Sequence, residues 1–213
     1  MKKDLTELVF ILDRSGSMHG LVDDTIGGFN SFIEKQKDVD GECLVSTVLF
    51  NSQSNVIHDR VSLKEIPEMT RKEYVPSGST ALIDAMGDAI HHIRNVHKYI
   101  REEDVPENTI FVIITDGQEN DSHRYSSDEV KKMVSEQKEK GWEFLFLGAN
   151  IDAVETAKNY GIAPDRSVNF VCDVKGVETN FETLDKAVKN YRKEKCISAD
   201  WGAAISEDYA KRK

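Results

Sequence analysis

The chain has 213 residues, a formal net charge of −10, 39% apolar and 31% charged residues, and three cysteines. Its length and even composition suit one domain with a substantial core, and its acidic balance argues against a general affinity for nucleic acid or an anionic membrane. No run is apolar enough to span a bilayer, and the N-terminus reads as no secretory signal. Cys43, Cys172 and Cys196 are too scattered for a disulfide framework, so a reducing, cytoplasmic setting is expected.

The first apolar run, residues 8–12, predicts a buried strand of a parallel sheet. It ends in Asp13 and runs into Arg14-Ser15-Gly16-Ser17. Asp13, Ser15 and Ser17, at alternate positions in a tight loop, can turn three oxygens toward one point, a set that suits a hard divalent cation. The same residue types also fill ordinary strand-to-helix loops, so this triplet needs matching oxygens from elsewhere. Ile26, Phe29, Phe32 and Ile33 recur at helical spacing and predict a helix over 22–38. Residues 43–50 and 55–61 read as strands two and three. The turn between them is too short for a parallel crossover, so they form an antiparallel hairpin. Pro67 and Pro76 punctuate a polar connection expected to cross the sheet.

A second hydroxyl-rich loop, Pro76-Ser77-Gly78-Ser79-Thr80, opens a long helix with the stripe Leu82, Met86, Ala89, Ile93, Val96 and Ile100. Strand four, residues 110–115, is as apolar as the first and also ends in a carboxylate, Asp116, followed by Gly117. Ser126 and Glu129 have capping-box spacing for a helix that stops at Gly141. Strand five covers 142–147, Asp152 caps a short helix ending near Gly161, and strand six covers 167–172. Phe181, Leu184, Val188 and Tyr191 mark a last helix. The domain is expected to span 1–195, with 196–213 a tail or a short helix around Trp201. The basic residues Lys186, Lys189, Arg192, Lys193 and Lys195 read as a solvated helix face, and Lys211-Arg212-Lys213 as a frayed end.

Strands alternating with helices predict a doubly wound, Rossmann-like α/β fold. The mostly parallel six-stranded sheet has the order 3-2-1-4-5-6, strand three antiparallel at an edge and helices on both faces. Strands one and four then lie side by side, and Asp13 and Asp116 meet in the switch-point crevice, with Ser15, Ser17 and the Ser79-Thr80 loop around them. Two carboxylates and three hydroxyls fit Mg²⁺ better than zinc. His19, Ser79, Gln118, Asn120, Asn150 and Asp152 lie on the rim of this crevice and are candidates for contact with a partner, as are Glu119 and Asp121. His91, His92 and His97 lack a second ligand cluster, and Cys43 and Cys172 are expected to pack in the core.

Asp-x-Ser-x-Ser after strand one, Gly-Ser-Thr opening a mid-chain helix and Thr-Asp-Gly after strand four resemble the von Willebrand factor type A domain. The match to that family's metal-ion-dependent adhesion site holds at Asp13, Ser15, Ser17, Thr80 and Asp116. The resemblance covers roughly 5–195 and is to a small stand-alone bacterial or phage member. It implies that Ser15, Ser17 and Thr80 coordinate the cation directly and that Asp13 and Asp116 act through water. The implied cation is Mg²⁺, with Mn²⁺ or Ca²⁺ as alternatives. The implied activity is binding of a protein partner's Asp or Glu, sometimes coupled to a shift of the last helix. An AAA-type ATPase or a stress-system protein is a conceivable partner on the same resemblance. Asp23 and Asp24 resemble the second cation site of some relatives, but their spacing is looser, and ordinary first-turn helix acids account for them better. Two other functions compete with this one. A haloacid-dehalogenase-type phosphohydrolase needs a second carboxylate where Ser15 stands. A scaffold would use the metal only for stability.

Overall fold

Side chains along the central strands alternate between two apolar cores, as expected for a parallel sheet covered on both faces. The computed structural model describes residues 1–213. Its elements are β1 (Lys2–Asp13), α1 (Val22–Lys37), β2 (Glu42–Phe50), β3 (Ser54–Ser62), α2 (Leu82–Tyr99), β4 (Pro106–Thr115), α3 (Ser127–Lys138), β5 (Glu143–Gly148), α4 (Ala153–Asn159), β6 (Ser167–Asn169), α5 (Val174–Glu194) and α6 (Ala203–Arg212). The strands form one sheet in the order β3-β2-β1-β4-β5-β6, with β3 antiparallel to β2 and every other pairing parallel. Leu8, Phe10 and Leu12 of β1 join Phe29, Phe32, Leu184 and Val188 on the α1/α5 face. Val9 and Ile11 join Met86, Ile90 and Val130 on the α2/α3 face. No helix is long and apolar enough to cross a membrane.

Several local expectations are corrected. β1 begins at Lys2 rather than at residue 8, because buried polar residues interrupt its apolar pattern: Thr6 and Glu7 lie inside, and Arg60 grips Glu7 at 2.9 Å. β6 ends at Asn169, not at residue 172, and the chain turns through Phe170 toward Asp173, whose side chain caps α5. The connection after β3 is not simply polar: Leu63, Ile66, Met69 and Tyr74 are buried, and Asn30 clamps Met69 through two bonds of 2.9 Å.

Arg192 is no part of a solvated face. It is buried, and its guanidinium donates to the carbonyls of Gln36 at 2.7 Å and of Val39 and Gly41 at 3.1 Å, so it gathers acceptors in and just past the last turn of α1. Arg212 is equally engaged, pairing with Asp173 and Asp208, so α6 is docked rather than frayed. Trp201 precedes α6 and donates its indole N–H to Asp165 O at 2.9 Å.

Candidate metal centre

β1 and β4 run parallel, with Leu12 opposite Ile114, and this register sets Asp13 beside Thr115 and one residue from Asp116. Asp13 is 1% exposed. Its Oδ1 accepts the Ser15 N–H at 2.7 Å and its Oδ2 accepts the Thr115 hydroxyl at 2.6 Å. Tyr74, buried in the long connection, donates its hydroxyl to the Asp13 carbonyl. Burial pushes the Asp13 carboxyl above its ordinary range, the bonds from Thr115 and Ser15 oppose this, and the negative charge of Asp116 adds to it. A buried anion next to a second carboxylate is a place where a cation relieves both desolvation and repulsion.

The hydroxyls lie alongside. Ser17 Oγ donates to Asp116 Oδ1 at 2.6 Å, and Ser15 Oγ lies 3.0 Å from Ser17 Oγ. Since Ser17 spends its one hydroxyl proton on Asp116, Ser15 donates to Ser17. Two backbone bonds fix the first loop to the second, Gly16 N–H to Gly78 O at 3.1 Å and Ser77 N–H to Arg14 O at 3.0 Å. Gly78 has φ +70°, a left-handed conformation that glycine adopts without a steric penalty. Thr80 is buried and its backbone is bridged to Asn120: its N–H donates to Asn120 Oδ1 at 2.9 Å, and its carbonyl accepts the Asn120 N–H at 3.0 Å. A β-carbon on Gly117 would stand 3.9 Å from Thr80 Oγ1, so the threonine hydroxyl overlies the Asp116–Gly117 turn.

Neither Ser17 nor Thr80 is a helix cap. The cap positions of α1 and α2 are Leu21 and Ala81, neither with a side-chain bond. The open N–H groups of α2 are taken instead by Glu119, which accepts from Ile83 at 2.9 Å, and by Ser122, which accepts from Asp84 at 3.0 Å. Glu119 and Asn120 therefore brace the crevice wall, and Asn120 remains exposed beside it. The carboxylate of Asp84 in turn accepts the backbone N–H groups of His123, Arg124 and Tyr125. Burial raises its pKa, but these three bonds outweigh burial and hold the carboxyl below its ordinary range.

Of the other rim candidates, His19 is exposed and bonded to Gly16 O at 2.8 Å, Ser79 is exposed with its N–H on Ser52 Oγ, and Gln118 is exposed. Asn150, at φ +56°, donates to the Asp116 carbonyl at 3.0 Å, whereas Asp152 caps α4 through Glu155 N–H. Asp121 lies 3.5 Å from the ring of exposed His123. Asp23 is held by Arg71 in an exposed pair. Cys172, expected in the core, is half-buried with its Sγ 3.7 Å from Asp116 Oδ2. Burial first, then the Asp116 charge, pushes its thiol up to about 11, so it donates to the carboxylate as the neutral S–H. Thr115, Tyr74 and Cys172 are contacts that motif reading missed. Thr115 stands inside the quoted Thr-Asp-Gly, which was the available signal, and the other two have none.

The donor set fits a hard cation. With metal–oxygen bonds of about 2.1 Å, adjacent vertices of an octahedron lie about 3.0 Å apart, which is the spacing of the Ser15 and Ser17 hydroxyl oxygens. No cluster of three or more His, Cys, Asp or Glu side chains suited to a metal exists anywhere in the chain, so a zinc-type site of thiolates and imidazoles has no candidate.

The sequence profile of the von Willebrand factor type A domain matches residues 7–187. No curated protein matches by sequence. Among solved structures, proximal thread matrix protein 1 from the mussel byssus aligns with TM-score 0.63 at 15% identity over 87% of this chain, which spans 46% of the mussel protein, under half its length. A further crystal of that protein has a zinc-occupied MIDAS motif. The manganese-loaded TRAP protein of Plasmodium vivax aligns with TM-score 0.59 at 18% identity, covering 84% of this chain and 72% of that one. The vWF domain of the type V pilus tip protein Mfa5 from Porphyromonas gingivalis aligns with TM-score 0.62 at 10% identity, covering 86% of this chain and 94% of that one. At these identities the likeness carries the fold.

Proposed function

This chain belongs to the von Willebrand factor type A domain family, and from that premise we propose that it is a metal-dependent protein-binding module with an intact adhesion site. Ser15, Ser17 and Thr80 would hold the cation directly, with Asp13 and Asp116 behind bridging water. The cation is Mg²⁺, or Mn²⁺ or Ca²⁺ in its place. Once bound, it offers an electrophilic position to a carboxylate oxygen of a partner's Asp or Glu. The protein's own residues keep that position strong. Neutral hydroxyls leave the ion's charge largely unspent, while Thr115 and Ser15 N–H hold the Asp13 carboxylate in place behind them. The observation that carries the reading is the chain of bonds from Ser15 through Ser17 to Asp116, which draws oxygens from two distant loops to one point.

The module is not an enzyme on this reading. Ser15 occupies the position where a phosphohydrolase of the type considered needs a general acid, and its hydroxyl is engaged with Ser17. A cytoplasmic setting, a small stand-alone bacterial or phage origin, and an AAA-type ATPase or stress-system partner belong to the same proposal. Affinity capture from source-cell lysate in Mg²⁺ tests it. A protein retained by wild type, and lost both with chelator and with Thr80→Ala, is the expected result. Equal capture in all three conditions overturns it. Thr80→Ala should also weaken Mn²⁺ binding by calorimetry at least about tenfold.

A further inference from the structure

A pocket of about 450 Å³ opens at the end of the sheet opposite the metal centre, where the second half of α2 and the end of α3 meet the starts of β4 and β5. Its size falls in the range of small-molecule sites. Trp142 forms an apolar wall, 7% exposed, stacked on Phe111 and met edge-on by His97 at 5.3 Å between ring centroids. His97 is held in turn by Glu7 at 3.2 Å, whose charge Arg60 neutralises.

Two independent observations give the pocket a chemical preference. The first is Gln137, 1% exposed, on the pocket wall. Lys140 Nζ lies 3.4 Å from its Oε1. An ammonium only donates, so the oxygen faces Lys140, and the amide –NH₂ is the half left without a bond. That Nε2 is buried without any partner, an arrangement that native proteins rarely keep unless something else accepts the bond. The second is charge. Arg94, Lys98 and Lys140 all line the pocket. The nearest acid to Arg94 is Glu136 at 3.9 Å, Lys98 lies over the Tyr99 ring, and Lys140 has no acidic partner within salt-bridge distance. Glu107, the one carboxylate in the lining, is already spent on Lys195 at 2.7 Å and on the Asp4 N–H at 3.0 Å. In a chain of net charge −10, two lysines without an acidic partner, joined by an arginine whose one ion pair is long at 3.9 Å, around a buried, unpaired donor favour an anion.

We propose that this pocket is a second ligand site, for a small organic anion. Its carboxylate or phosphate oxygens meet Arg94, Lys98 and Lys140, one acceptor takes the Gln137 amide, and its apolar body lies against Trp142. The site shares no residue with the metal centre, so it stands or falls apart from the adhesion reading. Calorimetric titration of the full chain, at fixed ionic strength, uses phenyl phosphate, phenylacetate and inorganic phosphate as probes and so separates the two acid types and the apolar part. Saturable binding of at least one probe with a dissociation constant below about 10 mM is expected. The double variant Arg94→Gln/Lys140→Gln and, separately, Gln137→Met should each weaken it about tenfold or more, while Thr80→Ala leaves it unchanged. No saturable heat with any probe overturns the proposal. So does binding that both the double variant and Gln137→Met retain at full strength.

Discussion

Asp13 is a buried carboxyl whose charged form the metal-free fold disfavours. Its carboxyl is raised by burial and by Asp116 even though Thr115 and Ser15 bond to it. A folded-state pKa above the unfolded value means that the folded protein binds the proton more tightly, so metal-free stability falls as pH rises from about 4 through the folded pKa. Asp13→Asn removes that fall. The amide can still accept the Ser15 N–H, and its –NH₂ can donate to Thr115 Oγ1. In chelator, thermal melts should show Asp13→Asn gaining on wild type as pH is raised, with the order reversing once Mn²⁺ is added. A variant that is less stable than wild type across the whole neutral range, with or without metal, would refute this account.

Elements are held around the site by side chains that serve as backbone partners. α2 starts without a cap of its own, and the loop after β4 supplies it through Glu119 and Ser122, while Asp84 returns three acceptor bonds to that loop. Asp84→Ala leaves three donors unpaired at once and should cost about 3 kcal/mol, or roughly 6–12 °C in Tm for a chain of this size. Because the Asp84 carboxyl lies below its ordinary range, its contribution is present above the unfolded pKa and lost as pH falls through the folded one. The gap between wild type and Asp84→Ala should therefore narrow in acid, as melts at pH 7 and pH 3 would show. Arg192 works in the same way at the far end of α1, tying α5 to the carbonyls of Gln36, Val39 and Gly41.

Across the whole molecule, two ends of one sheet carry two different chemistries, oxygens at the C-terminal edge of β1 and β4 and cations at the start of β4 and β5. Metal binding at the first end should stabilise the fold by mass action. Mn²⁺ at about 100 times its dissociation constant adds roughly 2.7 kcal/mol, equivalent to about 5–10 °C in Tm, and chelator should reverse the shift. An unchanged melting point in wild type, or an equal rise in Thr80→Ala, would contradict the assignment of the ligands.

The sequence by itself determined the strand order, the hairpin, the capping box at Ser126 and the five oxygen-bearing residues of the crevice. These rest on short-range signals: buried parallel strands read as near-continuous apolar runs, and a strand that ends in a carboxylate and a glycine advertises its own loop. Only the tertiary structure decided that Tyr74 reaches the Asp13 carbonyl across 61 residues, Thr115 the Asp13 carboxylate across 102, and Cys172 the Asp116 carboxylate across 56. It alone also turned Arg192 inward and left the Gln137 amide unpaired. Such contacts carry no period and no motif. They are set by which buried donors and acceptors remain unmatched once the sheet has closed, and that is known only when the layers have packed.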